Sequence, residues 1–567
     1  MISYRSFAYI AVVGGSISCG TFQARPPQPA EAEQLAAGIA TADSLIEGAV
    51  GKLVPGAVLL VSTDGRVVHE RAFGFAQLND YEGHRLASPP AMRTSTMFDL
   101  ASVTKVMATT MATMLLVDRG KIELDAPVWR YLPDFRGAHL DSITVRHLLS
   151  HSAGLVQWQP LYYHASNTAQ TYGVIRDMPL QWGVGDARHY SDLGFMLLGD
   201  VIERVSGQRL DAFLEQNLYR PLGLRSTTFN PKGHGFTEFA ATEQGNVYEK
   251  HMVYDSTFGY RYRGDPTAWN GWRQYVLNGE VDDGNSYYAN DGVAGHAGLF
   301  STAADLRVLV DLVNNRGSYG GRQYIRPEVI DAFLTRDKYQ NYLGWQAPSY
   351  LPAGSFSHTG FTGTYVAGIP QHKLSIVLLT NRQNMGTDAK GYFPDVGPLQ
   401  QAVARAIAGR ADTPGGGVWP RGHFAAGPHS PRISGKYAPH QQLGPGRRVG
   451  RDIVGGHLKA GNIALLERLA RSENLWERRI AIVSTFHFIK RNEFRPTLKI
   501  ATLLLGDSHD LIHKATGWML REVGKRDRTA LDRFLKKHYR RMPRTMLRYA
   551  IERHPERIRK QYLAGTI

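Results

Sequence analysis

Ser102 and Lys105 stand three positions apart in the run Phe98-Asp99-Leu100-Ala101-Ser102-Val103-Thr104-Lys105. Val106, Met107, Met111, Met114 and Leu115 follow at helical spacing. Residues three apart share a helix face. A hydroxyl and an amine would therefore meet at a helix N-terminus, where the aligned peptide dipoles favour developing negative charge. A base held beside a serine at such a place makes a weak nucleophile reactive. The pair alone says little, since ordinary residue frequencies give about two Ser-x-x-Lys matches by chance in a chain of this length.

Two further elements give the pair partners. Tyr190-Ser191-Asp192 opens another helical pattern through Leu193, Met196 and Leu197. His358-Thr359-Gly360 leads through Phe361-Thr362-Gly363-Thr364 into a strand pattern. Together with His147–Leu155 (HLLSHSAGL) and Gly295–Thr302 (GHAGLFST), these elements, in this order, resemble the serine β-lactamase and penicillin-binding-protein superfamily. The resemblance covers about 45–405 and is nearest the class C branch, with its D-alanyl-D-alanine carboxypeptidases and esterases.

The resemblance implies an α/β fold: an antiparallel sheet flanked by helices, with an all-helical subdomain. It implies Ser102 as the acyl-accepting nucleophile. Lys105, desolvated and so more easily neutral, would help take its proton, and Tyr190 would pass that proton to the leaving group. The N–H groups of Ser102 and Phe361 would form an oxyanion hole. Asp192, His358, Thr359 and Gly360 would meet the substrate. No metal or cofactor is implied. The expected activity is serine hydrolysis through an acyl-enzyme, on an ester or a D-amino-acid peptide of small-molecule or cell-wall origin. A true β-lactamase is the alternative.

Two departures bear on that alternative. Asp192 stands where many members carry an amide, and an ionised carboxylate cannot donate a hydrogen bond. His358 stands where antibiotic-directed members carry lysine, and a histidine is mostly neutral at pH 7. Both point away from efficient β-lactam hydrolysis. Asp99, just before the nucleophile, reads as a helix cap. His147 and His151 lie four apart and could share a helix face as metal ligands, but the stretch resembles a structural segment of the family.

The surrounding pattern supplies the scaffold. A helix is expected around 35–48, strands over 54–62 and 67–75, and a late hairpin over 363–369 and 374–381. Strands at both ends with helices between them imply a sheet that joins the two ends of the domain. The stretch 120–320 reads as helical with long loops, and 264–289 as an irregular excursion.

Outside residues 35–410 the chain changes character. Arg5 and the apolar run 7–17 suit a signal peptide over residues 1–19, and the run is too short to span a bilayer. The single cysteine, Cys19, follows at once, as in a lipoprotein signal, although Ser16 departs from the aliphatic residue such signals carry. Export to the periplasm, or membrane attachment through a lipidated Cys19, is therefore expected, with a cytoplasmic location if the signal does not function. Residues 20–34 and 411–450 read as linkers.

The tail is strongly basic. Of the net charge of +16, residues 461–567 contribute +13, from 24 Lys and Arg against 11 Asp and Glu. Helical patterns recur there at about 40 residues, as in HEAT-like repeats. Leu475–Ala481 (LWERRIA) and His513–Glu522 (HKATGWMLRE) resemble the DNA-alkylation-repair glycosylases built from such repeats. The resemblance implies that Arg479 and Trp518 face DNA. The family's N-terminal half, with its catalytic aspartate, has no counterpart here, so residual nucleic-acid binding is expected without glycosylase chemistry. An export signal conflicts with a DNA-facing tail, and the chain reads as a fusion.

Overall fold

The computed structural model describes residues 29–409, apart from 138, 256, 257, 259–261 and 263, and residues 463–567. The expected signal peptide with Cys19, residues 20–28 of the expected first linker and all of 411–450 lie outside the described residues. The chain divides into two units, Met1–Ile433 and Ser434–Ile567.

In the first unit, helix α1 (Pro29–Ala49) precedes the hairpin β1 (Gly56–Thr63) and β2 (Arg66–Gly74). Two-residue β3 (Phe98–Asp99) leads into the Ser102 helix, whose regular part is α2 (Met111–Asp118). Helix α3 spans Asp192–Ser206, followed by β4 (Thr228–Phe229) and β5 (Leu299–Ser301). Helix α4 (Ala303–Asn314) and the small hairpin β6 (Ser318–Tyr319) and β7 (Arg322–Gln323) come next. Strands β8 (Phe356–Thr359), β9 (Tyr365–Ile369) and β10 (Leu374–Thr380) close the sheet, and α5 (Gly397–Ile407) follows.

The main sheet is antiparallel in the order β2-β1-β10-β9-β8, so the late hairpin pairs with the early one, as the sequence implies. Leu59 opposes Leu378 on one side and Arg71 on the other. Strand residues alternate between faces. Ala57, Leu59 and Val61 meet Ala42 and Ile46 of α1 and Val403 and Ile407 of α5. Val58 and Leu60 meet the larger core with Val377, Leu379 and, from α4, Leu309 and Val313. Both faces of β1 are covered, which is why it reads as an unbroken apolar run. At about 25 cal/mol per Å² of apolar area removed from water, these two layers supply most of the unit's driving force.

Several boundaries differ from the sequence expectation. The helix expected from residue 35 begins at Pro29, so 29–34 are helix and not linker; proline at a helix start loses no intrahelical hydrogen bond. The excursion over 264–289 ends in a helix, Gly284–Ala289, capped by Asp283. Strands β3, β4 and β5 form a separate three-stranded sheet that no periodicity announces, because each is only two or three residues long.

The second unit is all helical, from Ala464–Ala470 to Glu556–Ala564, around Leu466, Ile482, Phe488, Ile500, Ile512, Met519, Leu520, Leu535, Met546 and Ile551. Its last helix, Glu556–Ala564, carries few apolar residues, with only Tyr562 buried.

Candidate active site

The nucleophile turn is built by short-range geometry. Leu100 N–H donates to Leu299 O (3.0 Å), which holds β3 against β5. Ala101 then takes a positive φ of 44°, a costly conformation for a residue with a Cβ, held only where its surroundings over-determine it. Ser102 follows in a tight turn, Ala101–Val103, and Lys105–Thr110 continues with π-helical geometry before α2. Asp99 is not a helix cap. It lies in β3, where one carboxylate oxygen accepts Ala101 N–H (2.8 Å) and the other Asp282 N–H (2.6 Å). Burial and the Asp282 charge push its carboxyl up to about 7.

Lys105 has no exposed surface. Its Nζ donates to Ser102 Oγ (2.9 Å) and to His296 O (3.1 Å), and forms an ion pair with Asp192 Oδ1 (2.7 Å). The Tyr190 ring lies 5.0 Å from the ammonium. Burial acts to lower the lysine's pKa, but the carboxylate of Asp192 and the Tyr190 oxygen outweigh it, and Lys105 sits above its ordinary value. The expectation of a lysine made neutral by desolvation is therefore reversed. Asp192 is the cause, and it is one of the two positions that depart from the family pattern.

Tyr190 and Asp192 reach the site from the start of α3. Ser191 caps that helix, with its Oγ accepting Gly194 N–H (3.3 Å) and donating to Val156 O (2.7 Å). His151 holds this segment at three points. Its carbonyl accepts His189 N–H (2.8 Å), its Nδ1 accepts Ser191 N–H (3.1 Å), and its ring stacks on Tyr190 at 4.3 Å. The accepting Nδ1 places the ring proton on Nε2. Burial and the charges of Arg188 and Lys105 hold its pKa well below the ordinary value, so it stays neutral. His147 does a different job, taking Thr144 N–H on Nδ1 (3.2 Å) at the start of helix Val145–Leu149, which ends before His151. The two histidines do not share a helix face.

The third wall is β8, the edge strand. His358 is buried; its Nδ1–H donates to Thr359 O (2.9 Å), and its ring centroid lies 6.3 Å from that of Tyr190. Burial and the Lys105 charge hold it down to about 3, so it is neutral, as the sequence implies. Beyond Thr359 the chain docks on the nucleophile turn, with Thr362 Oγ1 donating to Asp99 O (2.8 Å) and Thr364 Oγ1 to Leu100 O (2.9 Å). A Cβ on Gly360 would lie 2.4 Å from Leu100 O, which is why this approach needs glycine. Among the described residues, no group accepts the N–H of Ser102 or of Phe361. Phe361 is 37% exposed and packs on Tyr248 at 4.8 Å.

Ser102, Lys105, Tyr190, Asp192, His358, Thr359, Gly360 and Phe361 are thus brought together from three separate segments. His151, which the sequence offers only as a possible metal ligand in a structural stretch, is the further member of the site, and nothing local signals its stacking on Tyr190. Trp345 belongs to the core, and Trp182 stacks on His189 at 3.6 Å. In the helical unit, Trp518 stacks on Phe486 at 6.0 Å, donates to Glu522 Oε1 (3.1 Å) and packs against the core, and Arg479 is buried. Trp518 is only half-buried among these contacts, and the Arg479 guanidinium lies 5.7 Å from the ring of Trp476 on its own helix.

Known proteins show the same division. The family model for DNA alkylation repair enzyme matches residues 448–554, and that for beta-lactamase matches residues 42–395. An N-acetylmuramyl-L-alanine amidase of Bacillus subtilis (strain 168) is 34% identical over 371 residues, 60% of this chain and 80% of its own length. A putative D-alanyl-D-alanine carboxypeptidase of Escherichia coli (strain K12) is 32% identical over 413 residues, 67% of this chain and 91% of its own. Among solved structures, EstCE1, a hydrolase with promiscuous acyltransferase activity, aligns at 23% identity over 67% of this chain and 100% of its own, with a TM-score of 0.48. With its Ser102 turn, buried Lys105 and edge strand β8 in place, the chain belongs to the beta-lactamase family and is a serine hydrolase.

Proposed function

We propose that the first unit cleaves an ester or a peptide amide of D-amino-acid or cell-wall type through an acyl-enzyme on Ser102. The observation that carries this reading is the buried Lys105, in contact with Ser102 Oγ and Asp192 at once. A lysine that keeps its charge does not take the proton from Ser102; it orients the hydroxyl and stabilises the charge that develops. Tyr190 then accepts the Ser102 proton as it hands its own to the leaving group, so Lys105 stays charged throughout. The N–H groups of Ser102 and Phe361 receive the carbonyl oxygen as it becomes negative, and water later releases the acyl group by the reverse relay. The amidase and carboxypeptidase relatives support a cell-wall peptide as substrate.

Against β-lactams the site lacks the fixed charge of a lysine at residue 358. Profiling the purified chain with short-chain esters, D-Ala-D-Ala peptides and nitrocefin tests the reading, with fluorophosphonate labelling as the covalent check. Ester or peptide turnover that disappears in Ser102→Ala, with slow nitrocefin turnover, is expected. Absence of labelling at Ser102 would refute the acyl-enzyme, and fast Ser102-dependent nitrocefin turnover would make the protein a β-lactamase. The reading also calls for export, tested by locating the wild-type chain and Cys19→Ala in cell fractions.

A second reading concerns the basic helical unit. Its excess of positive charge, with Lys536, Lys537, Arg540 and Arg541 exposed in one run, supports residual, sequence-independent binding of nucleic acid.

A further inference from the structure

Two residues before Tyr190, Arg188 reaches the same wall of the site. Its guanidinium carbon lies 5.9 Å from the centre of the Tyr190 ring. Among the described residues it makes no hydrogen bond and no ion pair; the charge of Asp337 is felt there, but the two do not pair. Its charge is felt at both neutral histidines of the site, His151 and His358. It is half-buried, and burial lowers its pKa, yet a guanidinium stays protonated in any working range.

The other cations of the site are engaged. Lys105 holds Ser102 and Asp192. Arg382 lies against the Phe361 ring at 5.1 Å, donating from Nε to Phe361 O (2.8 Å) and from Nη1 to Pro394 O (2.9 Å). The remaining wall residues, His151 and His358, carry no charge. One cation with a full set of free donors therefore stands beside the relay tyrosine, on the side where β8 presents an uncharged histidine.

We propose that Arg188 is the anion anchor of this site: it binds a carboxylate of the substrate, as at the end of a peptide, and so selects acidic peptides over neutral esters. This rests on the serine-hydrolase reading above. A planar guanidinium grips a carboxylate through two parallel hydrogen bonds, and an arginine already desolvated against Tyr190 has less water to shed than a surface one.

The test compares three substrates with the full-length protein: p-nitrophenyl acetate, an N-acyl-D-Ala-D-Ala peptide with a free carboxylate, and the same peptide with its terminus amidated. The wild type is expected to favour the free carboxylate over the amide at least tenfold in kcat/KM. In Arg188→Gln that ratio falls close to one, while the ester rate changes less than about twofold. Arg188→Lys keeps part of the preference, and its unaltered ester rate shows that the site is intact. A carboxylate-to-amide ratio near one in the wild type, or one unchanged in Arg188→Gln, overturns the proposal while Ser102-dependent ester turnover leaves the hydrolase reading standing. No turnover of any substrate, together with no fluorophosphonate labelling of Ser102, is instead the failure of the hydrolase reading.

Discussion

A lysine without exposed surface keeps its charge only where a counter-charge offsets the cost of leaving water, and here Asp192 is that counter-charge. Removing one partner of such a pair strands the other. Asp192→Ala is expected to lower stability by about 3 kcal/mol, read from urea unfolding at pH 7; a change under about 0.5 kcal/mol would show that water serves Lys105 as well. The pair also sets the chemistry, since a charged Lys105 leaves the proton relay to Tyr190. His151 gives that tyrosine its place. His151→Phe keeps an aromatic face against Tyr190 but leaves Ser191 N–H without its acceptor, at a cost of about 1–3 kcal/mol. Turnover should fall about tenfold with KM nearly unchanged, and an unaltered kcat would mean that the stacking alone positions Tyr190.

At the scale of elements, the site depends on the end of β8 docking on the Ser102 turn. Gly360→Ala pushes a Cβ into Leu100 O, so fluorophosphonate labelling of Ser102 should slow at least a hundredfold while far-ultraviolet circular dichroism stays unchanged. Behind this junction lie buried carboxylates that join separate segments: Asp99 in β3 is held at about 7, and Glu249, accepting Gly284 N–H, at about 8, in both cases chiefly by burial. A carboxyl whose folded pKa is raised favours folding below its unfolded value and loses that contribution as pH rises through the folded value. The lowered histidines act the opposite way, but only below their unfolded value of about 6.5. Between pH 6.5 and pH 8 the carboxylates act unopposed by the histidines, so the urea midpoint of the first unit should fall across that window, and a rising midpoint would contradict it. Much of this level was legible in the sequence. β1 and β10 announce themselves as apolar runs, and the motifs at 102, 190 and 358 announce the site. What escaped was contact between segments: the three-stranded sheet that carries the nucleophile, the Asp192–Lys105 pair, and the ring of His151 against Tyr190. None of these has a local pattern, because each is fixed by what packs against it.

At the scale of the whole molecule, the two units bury separate hydrophobic clusters; every residue of the helical core falls between Leu466 and Tyr562, and the sheet and its helices close their cores without them. A chain ending at Gly409 is therefore expected to retain the Ser102 labelling rate within about twofold, and a larger loss would assign the helical unit a part in catalysis. The helical unit makes its own prediction. Phosphate contacts release condensed counterions, so binding carried by exposed lysines weakens with salt at a slope of about −0.9 per contact. Duplex binding by residues 450–567 should follow that law, and the double substitution Lys536→Glu and Lys537→Glu should lower both affinity and slope, because both side chains are exposed. Trp518→Ala should instead lower the melting temperature with the salt slope intact, since that ring is packed on Phe486 and the core. Loss of DNA affinity in Trp518→Ala at unchanged stability would give Trp518 the DNA-facing role its sequence context suggests.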